Sequence, residues 1–319
     1  MKMTRLVSFA TLLAFAAATA VFANSRVLRG AQDAAGDDSA KPSAARPLRD
    51  IGQVVVFGRV LRLPALPGRR EGRVDVQKTL ARVREVGADT FGFPIGDGDH
   101  DWDDYQALAA AADGFGIKLW ASFRLPQRGA NSRPFLGGFE KWSTEIGTLA
   151  DSHPSIVAVL LPELEHGRNP RFLHPPRTAT LRRNLNEHGV SLLGSVYDPE
   201  EDWISKYEDS LDGCVLRWTK FNQVLNLTGM LAGFRAMCPP RWKRVVAFET
   251  RTFGASTEPM DPMLLSACLR VAQKRTDGVM VRQLDMTMPA TILPQKDGNG
   301  AHFDALKTWT GGFKGNEAK

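Results

Sequence analysis

Two apolar runs in this chain end on carboxylates. One reads Leu160-Leu161-Pro162-Glu163-Leu164-Glu165-His166-Gly167, the other Val245-Val246-Ala247-Phe248-Glu249-Thr250-Arg251. Side chains two apart on a strand share a side, which groups Glu163 with Glu165 and Glu249 with Arg251. Acids that close such apolar runs are not ordinary surface residues. Two carboxylates facing each other across a cleft perform a specific chemistry. One stays protonated and donates to a leaving oxygen, while the other attacks or activates water, which is the requirement of glycosidic-bond hydrolysis. Glu163 and Glu249 are the expected pair, Glu163 being nearer its strand than Glu165. The competing role is structural, with Arg124, Arg217, Arg251 and Arg282 pairing with the acids.

Other strand ends supply groups that suit a sugar. Expected contacts are Glu165, Arg124, Tyr197, Arg217, Trp218, Arg251, Gln283 and Asp285. Aromatic faces stack on sugar rings and guanidinium groups bind hydroxyls or carboxylates, so the arginine content suits an acidic sugar. Trp218 reads equally well as a packed barrel residue. Asp97, Asp99, His100 and Asp101 form a polar cluster that reads first as a turn and helix cap, second as a metal site. There is no GxSxG, P-loop, HExxH or GxGxxG pattern, and neither a cofactor nor a metal is expected. Cys214, Cys238 and Cys268 lack CxxC spacing; Cys214 and Cys268 read as small buried apolar residues, and a Cys238–Cys268 bridge is not implied.

The elements that must position these residues alternate steadily. Strand-like runs cover 54–59, 89–95, 117–125, 156–163, 191–197, 213–218, 244–250 and 278–284. Between them lie segments of helical period: Val76, Leu80 and Val83; Phe139, Trp142, Ile146 and Leu149; Val224, Leu227, Leu231 and Phe234; Leu264, Cys268 and Val271; and Phe303, Leu306, Trp309 and Phe313. Gly87, Gly116, Pro154, Gly189 and Pro239-Pro240 stop several of them. Strict alternation demands parallel strands with crossovers, and eight units in one domain predict a single (β/α)8 TIM barrel over 51–315. Its functional groups belong at the C-terminal ends of the strands.

The first residues carry a different signal. A basic start (Lys2, Arg5) precedes an uncharged apolar run that closes on Val21-Phe22-Ala23, a pattern for a cleaved secretory leader over 1–23. A retained anchor is the rival. Residues 24–50, small and polar, read as a flexible tether. The expected location is secreted, periplasmic or at the cell envelope, with no stable membrane span after cleavage. Removing Lys2 and Arg5 lowers the formal charge from +6 to +4. That balance gives weak support for an anionic partner, and no nucleic-acid motif accompanies it.

Acids ending the fourth and seventh strands resemble the arrangement in the large clan of retaining glycoside hydrolases. The resemblance implies Glu163 as acid/base and Glu249 as nucleophile. It departs at Pro162, where that clan has Asn, and at Arg282-Gln283, where it has Trp. The runs from His153 to Glu163, from Ala247 to Phe253 and from Thr79 to Thr90 more closely resemble a group of uncharacterised bacterial exported barrel proteins regarded as glycosidase-like. The expected function is therefore a glycoside-hydrolase-like exported enzyme acting on a carbohydrate or polysaccharide. The alternative is a non-catalytic carbohydrate-binding or cell-envelope protein on a degenerate barrel. A metal-dependent hydrolase using Asp97, Asp99 or His100 is the third.

Overall fold

β-Branched and aromatic residues dominate the strand runs, and each strand is too short and too apolar to face water on either side. In a computed structural model these runs close into a parallel eight-stranded barrel in the order β1-β2-β3-β4-β5-β6-β7-β8. The structure describes residues 46–58, 60–68, 71–219, 225–250, 260–284 and 299–314. The leader and most of the tether read from the sequence lie outside them, as do Val224, Arg251 and Asp285.

The strands are β1 (Val54–Phe57), β2 (Thr90–Ile95), β3 (Lys118–Phe123), β4 (Ile156–Leu161), β5 (Ser191–Val196), β6 (Gly213–Trp218), β7 (Lys243–Glu249) and β8 (Gly278–Arg282). The helices are α1 (Val76–Glu85), α2 (Asp101–Phe115), α3 (Phe139–Ser152), α4 (Asn169–Phe172), α5 (Pro175–Asn186), α6 (Glu201–Tyr207), α7 (Leu227–Met237), α8 (Pro262–Gln273) and α9 (Asn299–Lys314). The predicted (β/α)8 barrel is what forms.

Alternation along each strand builds two apolar layers. Val55, Trp120, Leu160, Leu193, Val215 and Met280 point inward and fill the barrel. Val54, Phe91, Leu119, Leu161 and Val246 point outward against the helices. The predicted helical faces of α1, α3 and α7 are buried at Leu80 and Val83, at Phe139, Trp142 and Ile146, and at Leu227, Leu231 and Phe234. On α8 the buried face is Leu265, Cys268, Leu269 and Ala272, with Leu264 and Val271 at its edge. Reading the stripe from Leu264 had rotated that helix by one position.

Caps set the helix ends. The Asp75 carboxylate accepts from the Lys78 N–H at the start of α1, and Asp261 accepts from the Met263 N–H at the start of α8. α2 ends at Gly116, whose φ of 65° is a conformation that favours glycine. Residues 46–50, read as the end of the tether, are bonded to the barrel. The Arg49 guanidinium donates to the carbonyls of Ile156 and Ala150, at 2.8 and 3.0 Å. Lys118 reaches Asp50 at 2.5 Å. All three cysteines are free and buried. Burial pushes the Cys238 thiol up to about 12 and Cys268 to about 11, so both are inert at neutral pH. Among the described residues no helix is long and apolar enough to cross a membrane.

Candidate functional site

At the C-terminal end of the barrel the inward-pointing positions change from apolar to charged. Arg217 follows Val215 on β6, Glu249 follows Ala247 on β7, and Arg282 follows Met280 on β8. Parallel pairing sets Glu249 beside Arg282 and Arg282 beside Phe57, so three strand ends present adjacent side chains.

Glu163 arrives differently. The expected strand 156–163 stops at Leu161, because Pro162 has no N–H for the ladder and the chain then turns. Glu163 sits in the left-handed region at φ 54°. Non-glycine residues hold that conformation only when their surroundings fix it, at a cost of about 1–3 kcal/mol. Here its N–H donates to Ser195 Oγ at 2.8 Å and its carbonyl accepts from Asn169 Nδ2 at 2.7 Å. The side chain is thereby delivered to the barrel mouth from a turn. Strand alternation does not operate there, so Glu165 does not share its role. One Glu165 oxygen accepts from the Tyr197 N–H at 2.8 Å, capping β5, and the other is buried without a partner. Burial raises the Glu165 carboxyl above its ordinary range.

Arg217, only 3% exposed, joins the two expected acids. Its Nη1 donates to Glu163 Oε1 at 2.8 Å. Its Nε and Nη2 donate to Glu249 Oε1 at 3.0 and 2.6 Å. Glu163 also accepts from Tyr197 Oη at 3.0 Å, and from Arg128 Nη2 and Nε at 3.2 and 3.3 Å. The Tyr197 ring lies 4.3 Å from the Arg217 guanidinium carbon. Glu249 has no exposed surface, and its second oxygen has no partner.

The electrostatics follow from these contacts. Burial would raise the Glu163 carboxyl, but hydrogen bonds from Arg128 and Arg217 outweigh it and hold the group at about 2. Burial pushes the Tyr197 phenol up to about 12. Arg217 loses solvent on burial, yet the Glu249 charge, Tyr197 and the hydrogen bonds to Glu249 and Glu163 together outweigh that loss and its pKa rises. Arg282 goes the other way: desolvation outweighs Glu249 and lowers it.

A cavity of about 1110 Å³ opens above this cluster. Phe57, Ser122, Arg128, Glu163, Arg217 and Arg282 form part of its lining. Another wall carries paired charges. Arg124 meets Asp97 at 3.0 Å, Arg62 meets Asp101 at 3.1 Å, and Arg133 meets Asp99. Asp101 also accepts from the Gly96 and Gly98 N–H groups, at 2.9 and 3.3 Å. These acids of the polar loop are turn and ion-pair residues. Among the described residues no group of three or more His, Cys, Asp or Glu side chains could hold a metal ion.

The structure therefore brings together Glu163, Tyr197, Arg217 and Glu249, and sets Arg124 on the cavity wall. Trp218 is placed elsewhere. With Arg217 pointing in, Trp218 must point out, and it packs 3% exposed in the barrel–helix layer. Gln283 follows the end of β8 in a left-handed turn at φ 60°, its N–H donating to the Phe57 carbonyl. Arg251 and Asp285 lie outside the described residues. Arg282 is expected from the sequence as a partner of the acids and stands 3.1 Å from Glu249; Arg128 is not among the expected groups. No sequence pattern would have found Arg128, which a single helical turn at Pro126–Arg128 swings back over the mouth.

No protein-family model matches the chain. No curated protein sequence matches it either. Solved structures with a similar fold include glycoside hydrolases. A variant of Bacteroides uniformis beta-glucuronidase 2 superposes with a TM-score of 0.52 at 14% identity, over 75% of this chain and 31% of that one. The present chain thus spans about a third of the length of that enzyme. An L-ribulose 3-epimerase gives 0.51 at 12% identity, over 84% of this chain and 97% of that one. A broad-specificity endoglucanase from Clostridium acetobutylicum gives 0.50 at 10% identity, over 82% and 97%. At these identities the likeness is one of fold.

Proposed function

We propose that the barrel mouth is a carbohydrate-binding site in which Glu163 and Arg217 line the cavity, Glu249 holds Arg217 from within, and none of the three cleaves. The observation that carries this reading is the grip of Arg217 on both carboxylates. Hydrolysis by a carboxylate pair needs one protonated member and one with access to the anomeric carbon. Glu163, at about 2, is ionised at any physiological pH and has no proton to give. Glu249 is fully enclosed, and the Arg217 guanidinium stands between it and Glu163. The open cavity and the Arg282 guanidinium in its lining support ligand binding. The sugar-directed names of the three barrel neighbours support a carbohydrate as the ligand class. Export through the 1–23 leader would put the site where polysaccharides are met.

Hydrolysis is the second reading, and one observation favours it. Glu163 lines the open cavity next to β4, and Glu249 ends β7 at the same mouth. For a reaction to run, a bound sugar would have to displace Arg217 from Glu163. The deciding experiment screens polysaccharides and chromogenic glycosides for both binding and turnover. The binding reading expects calorimetric heats with at least one sugar and no product release above buffer. Turnover in the wild type that disappears in Glu163→Gln would overturn it in favour of the hydrolase.

A further inference from the structure

The ion cluster at the mouth is unbalanced. Among the described residues Glu163 and Glu249 face three guanidinium groups, those of Arg128, Arg217 and Arg282, which leaves one positive charge in excess. The surplus is localised on Arg282. Arg217 spends its Nε, Nη1 and Nη2 on the two acids, and Arg128 is a loop residue with a side chain 67% exposed. Arg282 is different on both counts. Its side chain is 13% exposed, and its Nε stands 3.1 Å from Glu249 Oε1 without pointing an N–H along that line. Nε and Nη1 are both buried donors with no acceptor among the described residues. An unmade hydrogen bond on a buried charged donor costs more than one on a neutral group, so such a group is held ready for something.

The surroundings indicate what that is. Arg282 lines the cavity, and its guanidinium carbon lies 4.7 Å from the centre of the Phe57 ring on β1. The cations of the other wall are already matched, Arg124 by Asp97, Arg62 by Asp101 and Arg133 by Asp99. We infer that Arg282 is the anchor of an anion subsite, its guanidinium taking the carboxylate or sulfate group of an acidic sugar held in the cavity. An anionic oxygen accepts a charge-assisted bond from a guanidinium N–H, and its charge removes the surplus of the cluster. Phe57, already stacked on Arg282, offers an apolar surface beside that group for the sugar ring. This rests on the carbohydrate reading for the ring, but the anion subsite itself does not.

The test separates the two. Glucuronate and galacturonate are titrated beside their methyl esters, which keep the sugar and lose the charge. Sodium sulfate at low millimolar concentration serves as a sugar-free anion, read by the shift in melting temperature. The wild type is expected to prefer acid over ester by about tenfold or more, the scale of a charge-assisted bond. That preference is expected to vanish in Arg282→Gln. Arg282→Lys, which keeps a cation beside Glu249 and guards against a folding defect, is expected to retain a reduced preference. Equal binding of acid and ester by the wild type overturns the inference, as does a preference that survives unchanged in both variants. If no sugar binds but sulfate raises the melting temperature of the wild type and not of Arg282→Gln, the anion subsite stands and the carbohydrate reading fails. If sulfate affects both alike and no acid preference is seen, the inference is overturned.

Discussion

Glu163 combines a left-handed backbone with three side-chain donors on its carboxylate, and this makes it a source of pH-dependent stability. Its folded pKa of about 2 lies below its ordinary value of 4.5. Between those values the unfolded chain binds the proton that the native state refuses, so stability is full above 4.5 and is lost as pH falls toward 2. Urea melts at pH 5.5 and 2.5 are expected to show the wild type losing about 2 kcal/mol more than Glu163→Gln, allowing for the solvent that reaches Arg128. Equal losses would mean that Arg128 and Arg217 do not hold the carboxylate in solution. At this scale the sequence was partly legible. Glu249 and Arg217 stand where strand ends had put them. Trp218 reads equally well from sequence as a sugar contact or a packed residue, and alternation from the inward Arg217 puts it in the packed layer. Arg128 was hidden because its position depends on a loop turn and not on any period.

At the level of elements, the junction of β1, β2 and β8 carries the proposed subsite. Gly92 on β2 pairs with Phe57 on β1, and a Cβ built on Gly92 would overlap the Phe57 ring. The glycine leaves room for the aromatic ring on which Arg282 stacks. Gly92→Ala is expected to force Phe57 from its place and cost about 1–3 kcal/mol in a urea melt, the usual penalty for overfilling a packed interior. A neutral substitution would show that the ring has space to move and does not fix Arg282. The eight strands were legible because each is bounded by a helical period or a glycine. The early end of β4 was not read, although Pro162 marks it. An apolar run followed by proline and acid reads as one strand, but the missing N–H ends the ladder and turns Glu163 out of it.

In the whole molecule, closure divides the barrel interior into a filled apolar body and a charged mouth. The count of eight units made closure legible from sequence, since an open doubly wound sheet would need a glycine-rich first turn that the chain lacks. What the sequence could not show is how the interior divides along its axis, because that depends on the stagger of strands around the barrel. Trp120 belongs to the apolar body. It is fully buried in the inner cluster, its Nε1 donates to the Ile51 carbonyl at 2.9 Å, and it lies two residues before Ser122, which lines the cavity. Trp120→Ala removes a large side chain that nothing nearby can replace, and is expected to lower unfolding free energy by about 3–5 kcal/mol in urea. The variant that remains folded should still show the sulfate-induced rise in melting temperature assigned to Arg282, because the substitution touches the barrel body and not its mouth. Loss of that response with folding intact would mean that the two layers are mechanically coupled, and that the mouth cannot be treated as a site carried by an independent scaffold.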